Sequence, residues 1–174
     1  IDREKDGPFL AYYPMALVHS PFLPTPSSEG AGPEARANTR FFGDMVAHMD
    51  RLVGRIRRHL EKRGLAERTL LVFTSDNGTH RKITSRFNGR NVRGGKGTTT
   101  WRSTHVPMIA YWPKTVRPGS VCEDLVDLSD FTPSLAELAG IACDGVDGQS
   151  FAPQLRGLRG RPREAITCYY HPRP

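Results

Sequence analysis

The amino-acid sequence predicts an α/β fold built on a mostly parallel sheet, and two observations predict it. A short apolar run at residues 70–74 ends in the polar turn Ser75-Asp76-Asn77-Gly78, which is typical of a buried strand in a parallel sheet. Apolar residues at helical spacing precede this strand from residue 38 to residue 63, so the chain has the strand, helix, strand order of parallel sheets. A length of 174 residues, 37% of them hydrophobic, fits one globular domain.

The elements before the polar turn follow in chain order. Residues 8–13 (PFLAYY) are predicted to form a first buried strand, and three prolines within residues 21–26 impose an extended loop. Residues 27–37 are rich in Gly, Ser, Pro and Ala and are expected to form an exposed loop. In the helix at residues 38–63, Asn38 or Thr39 can cap the first turn and Gly64 the last.

Beyond the polar turn, residues 79–92 show no apolar period and are expected to be loop. Residues 105–113 (HVPMIAYWP) are predicted to form a third buried strand that ends at proline. A helix follows with Gly140 as its stop, Ser129 or Asp130 as its cap and Pro133 in its first turn. Residues 145–157 are expected to be loop-rich, and residues 164–170 (EAITCYY) are predicted to form an edge strand.

The charge balance favours anionic partners. The chain carries 25 Lys and Arg against 18 Asp and Glu, a net charge of +7, with a pI near 9.7. These basic residues are densest at residues 55–58 and 156–163, where no aromatic residues are interleaved, so a solvated helix face and a basic tail are expected and nucleic acid binding is not. No run of 18 apolar residues predicts a membrane span. Because the chain begins at Ile1 and not at Met, we expect it to be a segment of a longer protein.

The three cysteines are Cys122, Cys143 and Cys168. They are too few and too widely spaced for a disulfide scaffold or a zinc site. Either one disulfide with a free thiol or three buried thiols is expected.

Three segments carry candidate site residues. Asp76 and Asn77 lie at the strand end where open α/β sheets bind ligands, and their oxygens suit Ca²⁺ or Mg²⁺; a plain tight turn is the alternative. Lys96 lies between glycines in RGGKGTTTW, where its ammonium can bind an anion; a flexible loop is the alternative. His19, before the proline-rich loop, is either a packed side chain or a catalytic one.

Several short motifs follow one another along the chain. A strand with His-x-Pro precedes a helix that ends in Gly-Leu, and then come Thr-Leu-Leu-Val-Phe-Thr-Ser-Asp-Asn-Gly, Gly-Lys-Gly-Thr-Thr, Val-Pro-x-Ile-x-x-Trp-Pro, Asp-Phe-Thr-Pro-Ser-Leu-x-x-Leu-Ala-Gly and Asp-Gly-Gln-Ser. This order resembles the sulfatase family, in particular the central and carboxyl-side part of the catalytic domain of arylsulfatase-type enzymes in the alkaline phosphatase superfamily. The resemblance covers residues 9–155, with residues 156–174 as a basic tail, and implies a three-layer α/β fold with a mostly parallel sheet that is incomplete here.

The resemblance also implies roles for the candidate residues. Asp76 and Asn77 would be two ligands of an active-site calcium, and Lys96 would contact the sulfate and its bridging oxygen. His19 would be the histidine near the leaving group, where it could donate a proton to the departing alcohol.

Some parts of the family pattern are absent. Catalysis in the family begins at a Cys or Ser in Cys/Ser-x-Pro-x-Arg that is oxidised to formylglycine, and none of the three cysteines has this context. The paired aspartates and the Lys-x-His of the family also have no counterpart, so the nucleophile and half of the metal shell are expected in an amino-terminal part outside this chain. Where many relatives have Glu-Gly-Gly or Asp-Ala-Gly, this chain has Trp101-Arg102-Ser103.

The sequence therefore predicts part of a sulfuric ester hydrolase that acts on a sulfate ester, such as a sulfated sugar, with Ca²⁺ or Mg²⁺. Two alternatives remain: a non-catalytic module that binds anionic polymers, and a phosphodiesterase or phosphonate hydrolase of the same superfamily. Apolar surface is expected where the amino-terminal half would pack, with oligomerisation or poor solubility of this chain alone. For the full-length protein, the resemblance implies a secreted, periplasmic or lysosomal location.

Overall fold

The longest element is the helix that the sequence predicts. The computed structural model describes residues 1–32, 34–169 and 171, and places helix α1 at Phe42–Lys62 after a 3₁₀ turn at Thr39–Phe41. The Asn38 side chain accepts a hydrogen bond from the Arg40 backbone N–H at 2.9 Å, and Gly64 follows the last turn at φ +65°. The predicted helix is confirmed, but its first turn is a 3₁₀ turn capped by Asn38, and the α-helix itself begins at Phe42.

Two of the predicted strands form a small sheet. Strand β1 (Leu71–Thr74) is hydrogen-bonded to strand β4 (Met108–Tyr111), each shorter than its predicted segment. The prediction that these strands are buried is wrong: all of β1 is half-buried, and Ile109 is 59% exposed. Two strands alone leave much of each sheet face without a covering layer.

The prediction that residues 79–92 form a loop is also wrong. Strands β2 (Thr84–Phe87) and β3 (Arg90–Arg93) form an antiparallel hairpin in which Phe87 pairs with Arg90. Asn88 and Gly89 make its two-residue turn with φ of 47° and 76°, the conformation that Asn-Gly favours. All eight strand residues except Val92 are exposed, which explains why no apolar alternation marks the hairpin in the sequence.

Two other predicted strands are absent. Residues 8–13 have no hydrogen-bonded neighbour strand among the described residues, and Leu10 and Tyr12 are 77% and 88% exposed. Residues 164–169 form no strand, and Tyr170 lies outside the described residues; a single bridge joins Arg163 to Leu125. An apolar run becomes a strand only when another strand takes up its N–H and C=O groups.

The chain divides into two compact units. The first contains residues 1–66 and 74–107. Its core is a cluster of Phe22, Met45 and Ile83, which come from the proline-rich loop, α1 and the segment before β2. Partly buried apolar residues pack against this cluster: Leu17, Val18 and Phe42. The loop of residues 17–22 is thereby attached to the segment that follows the Asp76-Asn77 turn.

The second unit contains residues 67–73 and 108–174. The predicted helix is present as a 3₁₀ turn at Leu128–Asp130 and helix α3 (Phe131–Ala139), with Gly140 at φ +69° as its stop. Asp130, one of the two predicted caps, is the N-cap residue of α3 but makes no side-chain bond to that helix. The side-chain bonds lie in the preceding 3₁₀ turn, where Asp127 accepts from the Ser129 N–H and Asp130 accepts from the Asp127 N–H in a capping box. Helix α4 (Ala152–Leu155) follows within the predicted loop.

Asp130 is the buried anchor of this second unit. Its side chain is 2% exposed and accepts from Arg163 Nε at 2.8 Å and from the Gln149 N–H at 2.6 Å. Burial alone would raise the pKa of Asp130, but the hydrogen bonds from Arg163 and from the Gln149 and Asp127 N–H groups outweigh it and hold the pKa below its ordinary value. Arg163 is thus a structural residue and not part of a solvated basic tail.

The cysteines match neither expectation. All three are free, Cys122 and Cys168 are exposed, and Cys143 is half-buried. They lie outside the helices and strands. Among the described helices, none has the length and apolar character to cross a membrane.

We expect Arg163→Leu to lower the free energy of unfolding by about 3 kcal/mol, because it leaves the buried Asp130 carboxylate without its cation. Urea unfolding measures this loss. Arg156→Leu is the matched control: Arg156 pairs with Glu137 at 3.4 Å with both side chains over 40% exposed, so its loss should stay within about 0.5 kcal/mol. Equal losses for the two variants would contradict the anchoring role.

The same loss should depend on pH. The folded-state pKa of Asp130 is lowered, so its contribution to stability is complete above the unfolded pKa of about 3.9 and disappears as pH falls through the folded value. The difference between wild type and Arg163→Leu should therefore be largest at neutral pH and shrink below about pH 5, because a protonated Asp130 no longer needs the guanidinium. A difference that is the same at pH 7 and pH 3 would show that another contact is responsible.

Candidate active site

The Asp76-Asn77 turn brings two oxygen-bearing side chains together. The Ser75 hydroxyl donates to the Asn77 main-chain carbonyl at 3.0 Å, and the Asn77 amide nitrogen donates to the Asp76 carboxylate. Asp76 is exposed and Asn77 is half-buried. The segment is therefore a tight turn that also presents a carboxylate beside an amide, so the two interpretations of the sequence are compatible.

This turn packs against the short helix that follows the lysine loop, residues 94–100, which contains Lys96. The Gly78 N–H donates to the carbonyl of Ser103 at 2.7 Å, and Ser103 is buried in helix α2 (Trp101–Thr104). A Cβ atom on Gly78 would lie 2.0 Å from the Arg102 carbonyl oxygen, a distance that no side chain tolerates. Glycine at this position is thus required by backbone packing.

The lysine loop is bonded to the segment that follows the turn. The Lys96 N–H donates to the Thr79 carbonyl at 3.0 Å, and the Gly94 N–H donates to the Ile83 carbonyl at 2.9 Å. A Cβ atom on Gly94 would lie 2.4 Å from the carbonyl oxygens of Thr79 and His80. The glycines beside Lys96 therefore let two stretches of backbone meet, and the loop is attached on both sides.

Lys96 is a cation at the centre of this loop. Its side chain is half-buried, and its ammonium makes no hydrogen bond or ion pair within the described part of the chain. The Thr98 hydroxyl donates to the Gly95 carbonyl at 2.9 Å and so closes the loop around the lysine. A fixed cation that lacks an internal partner is available to a negatively charged ligand.

His19 lies on an anchored loop with one ring nitrogen already used. Its Nδ1 is 2.6 Å from the Ser20 carbonyl, which can only accept, so Nδ1 carries a hydrogen. Nε2 is then the nitrogen that can take up or release a proton, and the side chain is exposed. Three residues after His19, Phe22 packs edge-on to the ring of His80, with centroids 5.7 Å apart. His80 lies three residues after Asn77.

The structure therefore places three of the four predicted residues on neighbouring backbone segments. Asp76, Asn77 and Lys96 lie on backbone segments that are hydrogen-bonded to one another, whereas His19 is attached to the same unit through Phe22. No hydrogen bond joins His19 to the other three in the residues that the structure describes. Those residues also contain no group of three or more His, Cys, Asp or Glu side chains that could hold a metal.

The donor set of this site fits part of a cation shell. Ca²⁺ takes about six to eight oxygen ligands, and one carboxylate with one amide supplies about three at most. Asp76 and Asn77 are the right chemistry for a hard cation but need further ligands. The sequence interpretation missed the roles of Ser103 and Thr79, whose carbonyls hold the site; the glycines at positions 78 and 94 were the only signal for them.

Comparison with known proteins identifies the family. The family model described as Sulfatase matches residues 1–141. Steryl-sulfatase of Mus musculus is 34% identical over 177 residues, covering 97% of this chain and 28% of that protein. Arylsulfatase A of Homo sapiens is 34% identical over 173 residues, covering 96% of this chain and 32% of that protein. The chain thus spans less than a third of the length of these relatives.

Solved structures agree with the sequence relatives. The PsFucS1 sulfatase from Pseudoalteromonas sp. matches with a TM-score of 0.66 and 30% identity, over 85% of this chain and 30% of that one. Ps i-CgsB in complex with k-i-k-neocarrahexaose matches with a TM-score of 0.66 and 29% identity, over 82% of this chain and 32% of that one. The predicted α/β fold class and the predicted family are confirmed: this chain belongs to the sulfatase family.

Proposed function

We propose that the protein that contains this chain is a sulfuric ester hydrolase and that residues 74–107 carry part of its active site. The observation that supports this most is Lys96, a half-buried cation with no partner among the described residues, on a loop bonded to Thr79 immediately beyond the Asp76-Asn77 turn. A sulfate monoester needs such a cation, since negative charge builds up on its oxygens and on the leaving oxygen as the bond breaks.

Lys96 is proposed to bind the sulfate group. Its backbone N–H is committed to Thr79, so the position of the loop does not depend on the ligand. A preorganised ammonium stabilises the charge of the transition state without the cost of turning solvent dipoles. It serves as a point charge towards the sulfate oxygens and the bridging oxygen.

His19 is proposed to protonate the leaving alcohol. With Nδ1–H donated to the Ser20 carbonyl, the imidazolium form presents Nε2–H outward, and this is the proton that can be transferred. The packing of Phe22 in the core limits the movement of this loop. A positioned acid matters most when the departing alcohol is a poor leaving group.

Asp76 and Asn77 are proposed to supply part of the shell of a divalent cation, Ca²⁺ or Mg²⁺. When bound, such an ion neutralises charge on the sulfate oxygens. The remaining ligands and the formylglycine nucleophile are proposed to come from the rest of the protein, which would also pack against exposed apolar side chains such as Leu10 and Tyr12.

The first test concerns Lys96 in the full-length protein, with p-nitrophenyl sulfate as substrate. Lys96→Ala should lower kcat/KM by about 100-fold or more, because one preorganised charge is lost at the reacting group. Lys62→Ala removes an exposed lysine at the end of α1 and should stay within about twofold of wild type. Equal activity of Lys96→Ala and wild type would exclude the proposed role.

A second test separates the role of His19 from simple structural support. His19→Ala should reduce turnover of an alkyl sulfate by about 100-fold or more, and turnover of p-nitrophenyl sulfate much less, because p-nitrophenolate leaves without protonation. His171→Ala, at another exposed histidine, is the control and should affect neither substrate. A loss of the same size for both substrates would contradict proton donation.

A third test addresses the cation. In the full-length protein stripped with a chelator, Asp76→Asn should weaken Ca²⁺ binding by about tenfold or more, measured by calorimetry, because a charged ligand becomes neutral. Asp50→Asn, at an exposed position of α1, should leave Ca²⁺ affinity unchanged. If Asp76→Asn bound Ca²⁺ as wild type does, Asp76 would be only a turn residue. Hydrolysis of bis-p-nitrophenyl phosphate by the full-length protein, without hydrolysis of p-nitrophenyl sulfate, would instead indicate a phosphodiesterase.

A further inference from the structure

The net positive charge of the chain is concentrated next to the candidate site, where no acidic residues offset the basic ones. Between Asp76 and Glu123 the sequence contains no acidic residue. Within residues 79–96, the hairpin and its two flanks carry six basic residues: Arg81, Lys82, Arg86, Arg90, Arg93 and Lys96. The local potential is therefore strongly positive, even though basic residues elsewhere in the chain have acidic neighbours.

The hairpin presents these charges on both of its faces. Directly opposed residues of an antiparallel pair share a face, so Arg86 and Asn91 lie on one face and Phe87 and Arg90 on the other. Phe87 is 63% exposed at the end of β2, beside the Asn-Gly turn. The tip thus combines an exposed aromatic ring with a guanidinium directly across the strand pair.

Most of these cations make no ion pair in the part of the chain that the structure describes. Within the described residues, Arg81, Lys82, Arg86 and Arg90 are exposed and their charged groups make no ion pair. Arg93 differs in that its Nε donates to the Arg81 carbonyl at 2.8 Å, which joins the end of β3 to the segment before β2. Exposed and unpaired guanidinium groups are well suited to bidentate binding of sulfate-type oxygens.

The base of the hairpin is also the frame of the candidate site. The bond from the Gly94 N–H to the Ile83 carbonyl closes the hairpin, and the bond from the Lys96 N–H to Thr79 joins the next residues to the turn. From Ile83 to Phe87 the strand extends about 13 Å at about 3.3 Å per residue. The hairpin is therefore an arm whose base lies next to the loop of Lys96. Its positively charged side chains extend along the hairpin away from that base.

We propose that this arm, residues 81–93, binds the neighbouring anionic residues of a polymeric sulfated saccharide whose reacting sulfate lies at Lys96. Arg86 and Arg90 bind sulfate groups further along the polymer, and Phe87 packs against the face of a sugar ring. This inference rests on the proposed function, because it names the substrate class of the same site.

The composition of the arm favours a sulfated saccharide over other polyanions. Nucleic acid binding uses several aromatic side chains on which successive bases stack, and the arm exposes one. Attachment to an anionic membrane uses a cluster of inserted apolar residues, and in the arm only Phe87 is a large exposed apolar side chain. Separated cations with a single aromatic ring match a flexible polymer with spaced charges.

The test is binding of a fluorescein-labelled heparin oligosaccharide to the full-length protein, followed by fluorescence anisotropy at several salt concentrations. Arg86→Ser with Arg90→Ser should raise Kd by about tenfold or more and reduce the slope of log K against log salt by about 1.5 to 2. Phe87→Ala should raise Kd by about fivefold and leave this salt slope unchanged, because it removes no charge.

Matched controls separate the arm from net charge. Arg55→Ser with Arg58→Ser removes two exposed arginines from α1, a second basic surface with the same change in charge, and should alter Kd by less than about threefold. Tyr169→Ala removes another exposed aromatic ring, which is 84% exposed, and should have no effect. Circular dichroism of each variant confirms that the fold is retained.

Two results would overturn the inference. One is a loss of heparin affinity on α1 substitution that equals the loss on the arm. The other is binding of single-stranded RNA or anionic vesicles as tight as that of heparin and equally sensitive to the arm substitutions. Failure of the proposed function gives a different result from failure of this inference, because the wild-type protein would then not hydrolyse p-nitrophenyl sulfate.

Discussion

The candidate site depends on a close approach of two stretches of backbone, residues 78–83 and 94–103. Three hydrogen bonds cross between them, and the Cβ distances at Gly78 and Gly94 show that no side chain fits in the gap. Because these bonds involve main-chain atoms only, the position of the segment after Asn77 beside Lys96 does not depend on side-chain hydrogen bonds. The arrangement is preorganised, as electrostatic catalysis requires, since a loop that moved would lose the benefit of a fixed charge.

The second unit depends on a different kind of contact, a buried ion pair. The Asp130 carboxylate accepts hydrogen bonds from the Arg163 guanidinium and from the Gln149 and Asp127 N–H groups. One carboxylate therefore joins α3 to the segments before and after α4. Gly148 packs tightly in the same region, because a Cβ there would lie 2.2 Å from the Ser129 carbonyl oxygen. The Asp-Phe-Thr-Pro-Ser-Leu and Asp-Gly-Gln-Ser motifs therefore serve folding in this unit, whereas the Asp-Asn-Gly and Gly-Lys-Gly motifs meet at the candidate site.

The distribution of charge links the hairpin to the proposed chemistry. The segment that connects the Asp76-Asn77 turn to Lys96 is the basic hairpin itself, so the same backbone bonds that place the lysine also fix the base of the arm. A sulfate at the lysine and further sulfates along the hairpin would then meet positive charge at the base of the hairpin and on both of its faces. Trp101 and Arg102 add bulk and charge on the adjacent helix α2.

Local signals in the sequence were sufficient for α1 with its Asn38 and Gly64 caps, for strands β1 and β4, and for the family, and they singled out Asp76, Asn77 and Lys96. They failed where structure depends on distant partners. The hairpin was missed although Asn88-Gly89 marks it, because its exposed strands show no apolar alternation, and residues 8–13 have the composition of a strand without a neighbour to pair with. The sequence determined the chemistry of the side chains and the short-range elements, since these depend on neighbouring residues. Only the tertiary structure decided that Arg163 neutralises Asp130, 33 residues away, and that Lys96 lies beside Thr79, because such contacts form when separate segments pack.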